Sequence, residues 1–221
     1  MTVQMGVPLA RIELLDPVQV RACNVYSKLD LPEAPLLLVE FHGSAVSVED
    51  DVSRFSEICA DFTSHPFSWS SDPEQRAKLW KARHDAYWAS LALIPGATGF
   101  ATDVCVPISH LADCVNDTST DIAANGLIAP IVGHVGDGNF HVLPLTMPDD
   151  TAMQDKISAF SARLTERALA MGGTCTGEHG IGQGKRHYLR DEMGEAVDMM
   201  QAIKTTFDPH GILNPGKLFD H

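Results

Sequence analysis

"LIAPIVGHVGDGNFHVLPL", residues 127–145, decides how this chain folds. Two apolar runs, 127–135 and 139–145, flank Gly136-Asp137-Gly138, a triplet that suits a close turn between two strands. Working outward, strand-like runs alternate with segments of helical period. "LARIELL" (9–15) reads as a strand, and Asp16-Pro17 supplies the cap and first-turn proline of a helix over 17–29. "LLLVEFHG" (36–43) reads as a buried strand. Ser47, with Asp50 three residues on, opens an amphipathic helix whose Val52, Phe55, Cys59 and Phe62 recur at three- and four-residue steps. "SDPEQRAKLWKARHDAYWASLAL" (71–93) reads as one helix, "GFATDVCVP" (99–107) as a strand, and 109–125 as a helix ended by Gly126. Met153, Ile157, Phe160, Leu164, Ala168 and Met171 form one helical stripe stopped by Gly172-Gly173; a last helix covers about 191–207. No repeat, charge block or low-complexity linker marks a boundary inside the chain. The expected fold is α+β, a largely antiparallel sheet with helices packed on one face.

Composition narrows the function. The chain has 221 residues, 44% of them hydrophobic, and a net charge of −13. That balance argues against nucleic acid and an anionic membrane as partners, since both reward a basic face. Five cysteines, an odd number without a C-x-x-C pair, suggest reduced thiols, not a disulfide framework or thiolate zinc site. No apolar run reaches the roughly 20 residues of a membrane span, and Met1 to Pro8 lacks a signal-peptide layout.

Three segments carry candidate chemistry. His134 and His141 stand on either side of the glycine turn, where positive φ at Gly136, Asp137 or Gly138 lets both rings face one point. Taken alone, the pair favours a metal only slightly over two unrelated histidines beside a hairpin. "GGTCTGEHGIGQGKRH" (172–187) adds Glu178 and His179 on a glycine backbone that can approach a ligand closely. Two imidazoles and a carboxylate suit a catalytic divalent ion, Zn, Mn or Fe, with positions left open for substrate. Asp137 reads as a ligand or simply as the turn residue, and Cys175 as a small buried thiol. The segment matches neither the P-loop nor the dinucleotide fingerprint. In the helix from Pro73, Trp80, Arg83, His84 and Tyr87 share a face. Arg83 is the candidate for gripping a carboxylate, with Tyr87 beside it as a second substrate-binding residue; the competing reading of Arg83 is a structural salt bridge.

"PGATGFATDVCVPIS" (95–109), "GHVGDGNFH" (133–141), "GGTCTGEHGIGQGKR" (172–186) and "DPHGILNPGK" (208–217) together resemble the C-terminal part of the FAD-linked D-2-hydroxy-acid dehydrogenases. The resemblance is nearest to the D-lactate dehydrogenase (cytochrome) branch and covers nearly the whole chain. It implies the ferredoxin-like cap domain of the vanillyl-alcohol-oxidase-like flavoenzymes. Residues 1–221 would then be the cap, or substrate, domain plus a C-terminal segment, with the N-terminal FAD-binding domain absent and the chain a fragment. It further implies that His134, His141 and Glu178 bind a divalent metal, that His179 is the acid/base, that Arg83 meets the substrate carboxylate, and that Asn214 lies near FAD. Electrons would pass to a cytochrome or another acceptor. Related D-2-hydroxyglutarate dehydrogenases carry an asparagine where this chain has Leu143 and a lysine where it has Ala101. A small monocarboxylate such as D-lactate therefore fits better than a diacid, with glycolate and longer 2-hydroxy acids as alternatives. Two readings from other classes stand beside this one, a flavin-free metal hydrolase and a non-catalytic remnant module. The expected location is the cytoplasm in a bacterium or the mitochondrion in a eukaryote.

Overall fold

The computed structural model describes residues 2, 4–63 and 67–219. In chain order they form β1 (Arg11–Leu15), α1 (Pro17–Ser27), β2 (Leu36–Glu40), α2 (Ala45–Ala60), α3 (Pro73–His84), α4 (Ala86–Ala92), β3 (Thr98–Gly99), β4 (Val104–Cys105) and α5 (Ile108–Ala124). There follow β5 (Ile131–Gly133), β6 (Asn139–Val142), β7 (Leu145–Thr146), α6 (Thr151–Ala170), α7 (Arg186–Met193) and α8 (Ala196–Phe207). The chain divides into two compact units. One comprises Met1–Phe100, Ala129–Gly136 and Leu143–Pro148; the other comprises Ala101–Ile128, Asp137–Val142 and Asp149–His221. No shift in composition accompanies these crossings, which is why the sequence shows no boundary.

In the first unit β1 lies between β2 and β5, antiparallel to both. Its register runs from Arg11 opposite Glu40 to Leu15 opposite Leu36, with Leu14 opposite Gly133. β3 and β7 pair separately, Thr98 opposite Thr146. Leu15, Val20, Ala22, Cys23, Ala86 and Ala89 form the core, bordered by Leu31, Leu36, Leu38, Leu93 and Val132. α1 starts as the sequence predicts: Asp16 accepts the Gln19 amide at 2.7 Å and Pro17 opens the first turn. Buried Gln19 then bolts α1 to α4, donating to the Ala86 carbonyl at 3.1 Å and accepting the Ser90 hydroxyl at 2.9 Å.

Several expectations for this unit are corrected. β2 is only partly buried and Leu37 is exposed, because the strand is paired to β1 alone among the described residues. α2 is capped by Ser44, whose Oγ accepts the Ser47 amide, so the helix starts two residues before Ser47; Phe62 lies beyond its end and is exposed, and Ile58 takes the buried place. The segment 71–93 is two helices, not one. Asp85, at φ −80° and ψ 1°, offsets them, while α1 side chains reach the Ala82 and Ala86 carbonyls on either side of the offset. Tertiary contacts there override a continuous helical period.

In the second unit β4 and β6 pair antiparallel, Val104 opposite Phe140, and Thr174 bridges to Cys105. "GFATDVCVP" is thus strand only at Gly99, the end of β3, and at Val104–Cys105, which is β4. α6 buries Ile157, Phe160, Leu164 and Ala168 as its stripe predicts. It is tied to α5 by Asp121, which accepts from Arg163 at 2.6 and 3.0 Å and from Arg167 at 3.0 Å. The final helix is also two, α7 and α8, separated at Gly194, whose φ of 55° breaks the helical path. The antiparallel α+β fold expected from the turn at 136–138 is the fold found.

Candidate active site

The second unit builds a polar cluster around Asp103, a carboxylate just before β4 that is 1% exposed. A charge in that position needs several donors. It has them: Oδ2 accepts the Thr176 hydroxyl at 2.8 Å and the Glu178 and His179 amides at 3.0 and 2.8 Å, and Oδ1 accepts the Asn139 amide at 2.8 Å. Burial would raise the pKa of Asp103, but the His179 and Glu178 amides, with Thr176 and Asn139, outweigh it and hold the carboxyl well below the ordinary 3.8. Lys185 Nζ donates to the Asp103 carbonyl at 2.6 Å. The hairpin near 137 and the glycine loop near 178 therefore meet in one place. Gly177 shows why glycine is required, since a Cβ there would sit 1.6 Å from Asn139 Nδ2. Of the three turn residues only Gly138 has a positive φ, 81°; Gly136 serves instead to admit Ile12.

On this frame His141 and Glu178 face each other, Nε2 to Oε1, at 2.8 Å. His141 Nδ1 lies 3.0 Å from the Thr102 carbonyl, an acceptor only, so Nδ1 carries the proton and Nε2 carries the lone pair in the neutral ring. Burial holds the His141 pKa below its ordinary 6.5 despite the Thr102 carbonyl and the charges of Asp103 and Glu178. An imidazole lone pair against a carboxylate oxygen at that distance is stable only with a cation between them, a proton or a metal. His179 stacks on His141, ring centroids 5.1 Å apart and 13° from parallel, and is half exposed like Glu178. One largely covered ring and two exposed groups make a lip open to a ligand. Cys175 is fully buried; burial and the Glu192 carboxylate push its thiol up to about 12.

The first unit places His134 and Arg83 on one acid. Glu13, in β1 and 7% exposed, takes His134 Nδ1 at 2.7 Å on Oε1 and Arg83 Nε and Nη2 at 3.0 and 2.8 Å on Oε2. A carboxylate accepts, so His134 too carries its proton on Nδ1. Arg83 thus has the salt bridge that was the competing reading of its position. Tyr87 is 43% exposed and edge-on to Trp88, 5.2 Å away, so it belongs to no buried stripe with Trp80; the stripe is Ala82, Ala86 and Ala89. Asn214 lies in the loop after α8, at φ 47°, beside a cavity of about 560 Å³ that His210, Lys217 and Phe219 also line.

Sequence reasoning missed Asp103, Glu13, Asn139 and Lys185. The signal for the first two was present: each is an acid inside a largely apolar strand-like run, "ATDVCV" and "ARIELL", where a buried ionised group persists only with partners.

The chain belongs to the family of FAD linked oxidases, C-terminal domain, whose family model matches residues 1–218. Within it, the chain is 50% identical over 218 residues to "Probable D-lactate dehydrogenase, mitochondrial" of Danio rerio, covering 98% of this chain and 44% of that protein. It is 39% identical to "D-lactate dehydrogenase [cytochrome], mitochondrial" of Arabidopsis thaliana, covering 98% and 38%. Among solved structures, 4-ethylphenol oxidase from Gulosibacter chungangensis in an isoeugenol complex shares the fold, with a TM-score of 0.68 at 16% identity, over 94% of this chain and 47% of that one. The chain therefore shares its α+β fold with that oxidase. The chain spans less than half the length of each of these proteins. Among the described residues no helix is long and apolar enough to cross a membrane.

Proposed function

We propose that this chain is the substrate-side part of an FAD-dependent enzyme oxidising a D-2-hydroxy acid, D-lactate to pyruvate, with His134, His141 and Glu178 as ligands of a divalent metal. One observation carries the reading. Both candidate histidines donate Nδ1–H, His134 to Glu13 and His141 to the Thr102 carbonyl, which is the outer hydrogen bond that metal-ligating histidines make through the nitrogen not bound to metal. The donor set of two imidazoles and a carboxylate fits Zn, Mn or Fe. When bound, the ion would supply Lewis acidity toward the substrate hydroxyl and the flavin would supply a two-electron acceptor. His179 receives the hydroxyl proton, and its half-exposed ring can pass that proton on to water. Arg83 orients the substrate carboxylate; Glu13 meets its Nε and Nη2, so the pairing does not use Nη1. Tyr87 borders the substrate. Asn214, with Lys217 beside it, offers the polar contacts an isoalloxazine edge takes.

The names of the relatives support D-lactate as substrate and a cytochrome as electron acceptor, and support the mitochondrion as the location if the source is eukaryotic. Leu143 and Ala101, which supply no group for a second carboxylate, support a monocarboxylate over 2-hydroxyglutarate. Anaerobic addition of D-lactate to the FAD-loaded protein is expected to bleach the flavin while L-lactate does not. Equal response to both enantiomers defeats the reading. Elemental analysis is expected to give one divalent ion per chain in wild type and markedly less in His141→Ala.

A further inference from the structure

We propose that Glu13 is a positioning residue that sets His134 and Arg83 together, a step that rests on the roles just assigned to those two side chains. The β1–β5 register pairs Leu14 with Gly133, and one residue further along the same ladder Glu13 stands opposite His134. Arg83 arrives from the last turn of α3. The carboxylate is buried, and its two oxygens are divided between the partners: Oε1 takes the imidazole Nδ1–H, and Oε2 takes the guanidinium Nε and Nη2. Only a carboxylate accepts on both oxygens; an amide accepts on one and donates on the other. Glu13 thereby does two things at once. It fixes the His134 tautomer whose lone pair is on Nε2, the atom a metal takes, and it locks the guanidinium in one rotation, with a fixed face for a substrate carboxylate. The grip on the substrate acid and the hold on the metal share a single anchor on β1, so displacement of one moves the other.

Glu13→Gln tests this with little change of shape. Zinc affinity, measured by chelator competition, is expected to fall tenfold or more, within the range seen when outer hydrogen-bond partners of ligands are removed. In the FAD-loaded protein KM for D-lactate is expected to rise several-fold more than kcat falls. Zinc affinity within twofold of wild type overturns the His134 half, and an unchanged KM overturns the Arg83 half. Should the variant fail to fold, the tautomer is read on metal-free wild type by long-range 1H–15N spectra, the His134 signals being those lost in His134→Gln. A proton on Nδ1 supports the assignment and a proton on Nε2 overturns it. A wild type that binds none of zinc, manganese or iron overturns the ligand reading, while the tautomer still decides the role of Glu13.

Discussion

Asp103 is the residue on which the second unit's chemistry converges, because one buried carboxylate accepts two main-chain amides of the loop that carries Glu178 and His179. Asp103→Asn would turn an NH2 toward donors. Unfolding by urea at pH 7 is expected to show a loss of about 3 kcal/mol or more. The sign with pH follows from the lowered carboxyl: its contribution is complete above the unfolded-state value of 3.8 and disappears as pH falls below it toward the folded-state value. The gap between wild type and Asp103→Asn should therefore narrow in acid; a gap constant from pH 7 to pH 3 would contradict the hydrogen-bond account. Cys175 gives a second test. Its thiol, pushed up to about 12 and buried, should resist iodoacetamide at pH 8 in the native protein and react once urea is added, with labelling followed by peptide mass spectrometry. The site was legible as far as residue types near glycines can make it so. Glu178, His179, His134 and His141 stood out as donors beside glycines, whereas Glu13 and Asp103 lie in runs that read as strand, where the acid itself was the signal and its partners, distant in sequence, were not visible.

Among the elements, the strongest patterns held and the continuous ones broke. The α6 stripe and the Asp16-Pro17 start of α1 were readable because both depend on local chemistry, side-chain periodicity in one case and a cap in the other. The single helices read over 71–93 and 191–207 each proved to be two, since a break at Asp85 or Gly194 is set by packing partners distant in sequence and by one permissive φ. The α1 cap also carries a pH effect. Burial raises the Asp16 carboxyl to about 6 against its amide bond to Gln19, so the folded state holds the proton more tightly than the unfolded chain. Stability from this group is full below 3.8 and is lost as pH rises through about 6. Asn caps as well as Asp without the buried charge. Asp16→Asn is expected to exceed wild type by about 1–3 kcal/mol above pH 6 and to match it below pH 4, measured by urea unfolding across that range.

For the whole molecule, metal binding and folding should be linked. An ion held by the native state alone at a hundred times its Kd adds about 2.7 kcal/mol, so Tm should rise with zinc and fall with chelator, and His141→Ala should lose that response. The overall class was legible because a short glycine turn between apolar runs forces an antiparallel return, but the division into two units was not, because it depends on which distant segments share a core. The path between those units has a consequence for synthesis. The chain changes unit after Phe100, Ile128, Gly136, Val142 and Pro148. On the ribosome the sheet of the first unit must wait for residues 131–133, and its separate β3–β7 pair for residues 145–146, while everything after 148 belongs to the other body. The two bodies cannot be made as successive beads, and a nascent chain paused before residue 131 would hold β1 and β2 with the third strand of their sheet not yet synthesised.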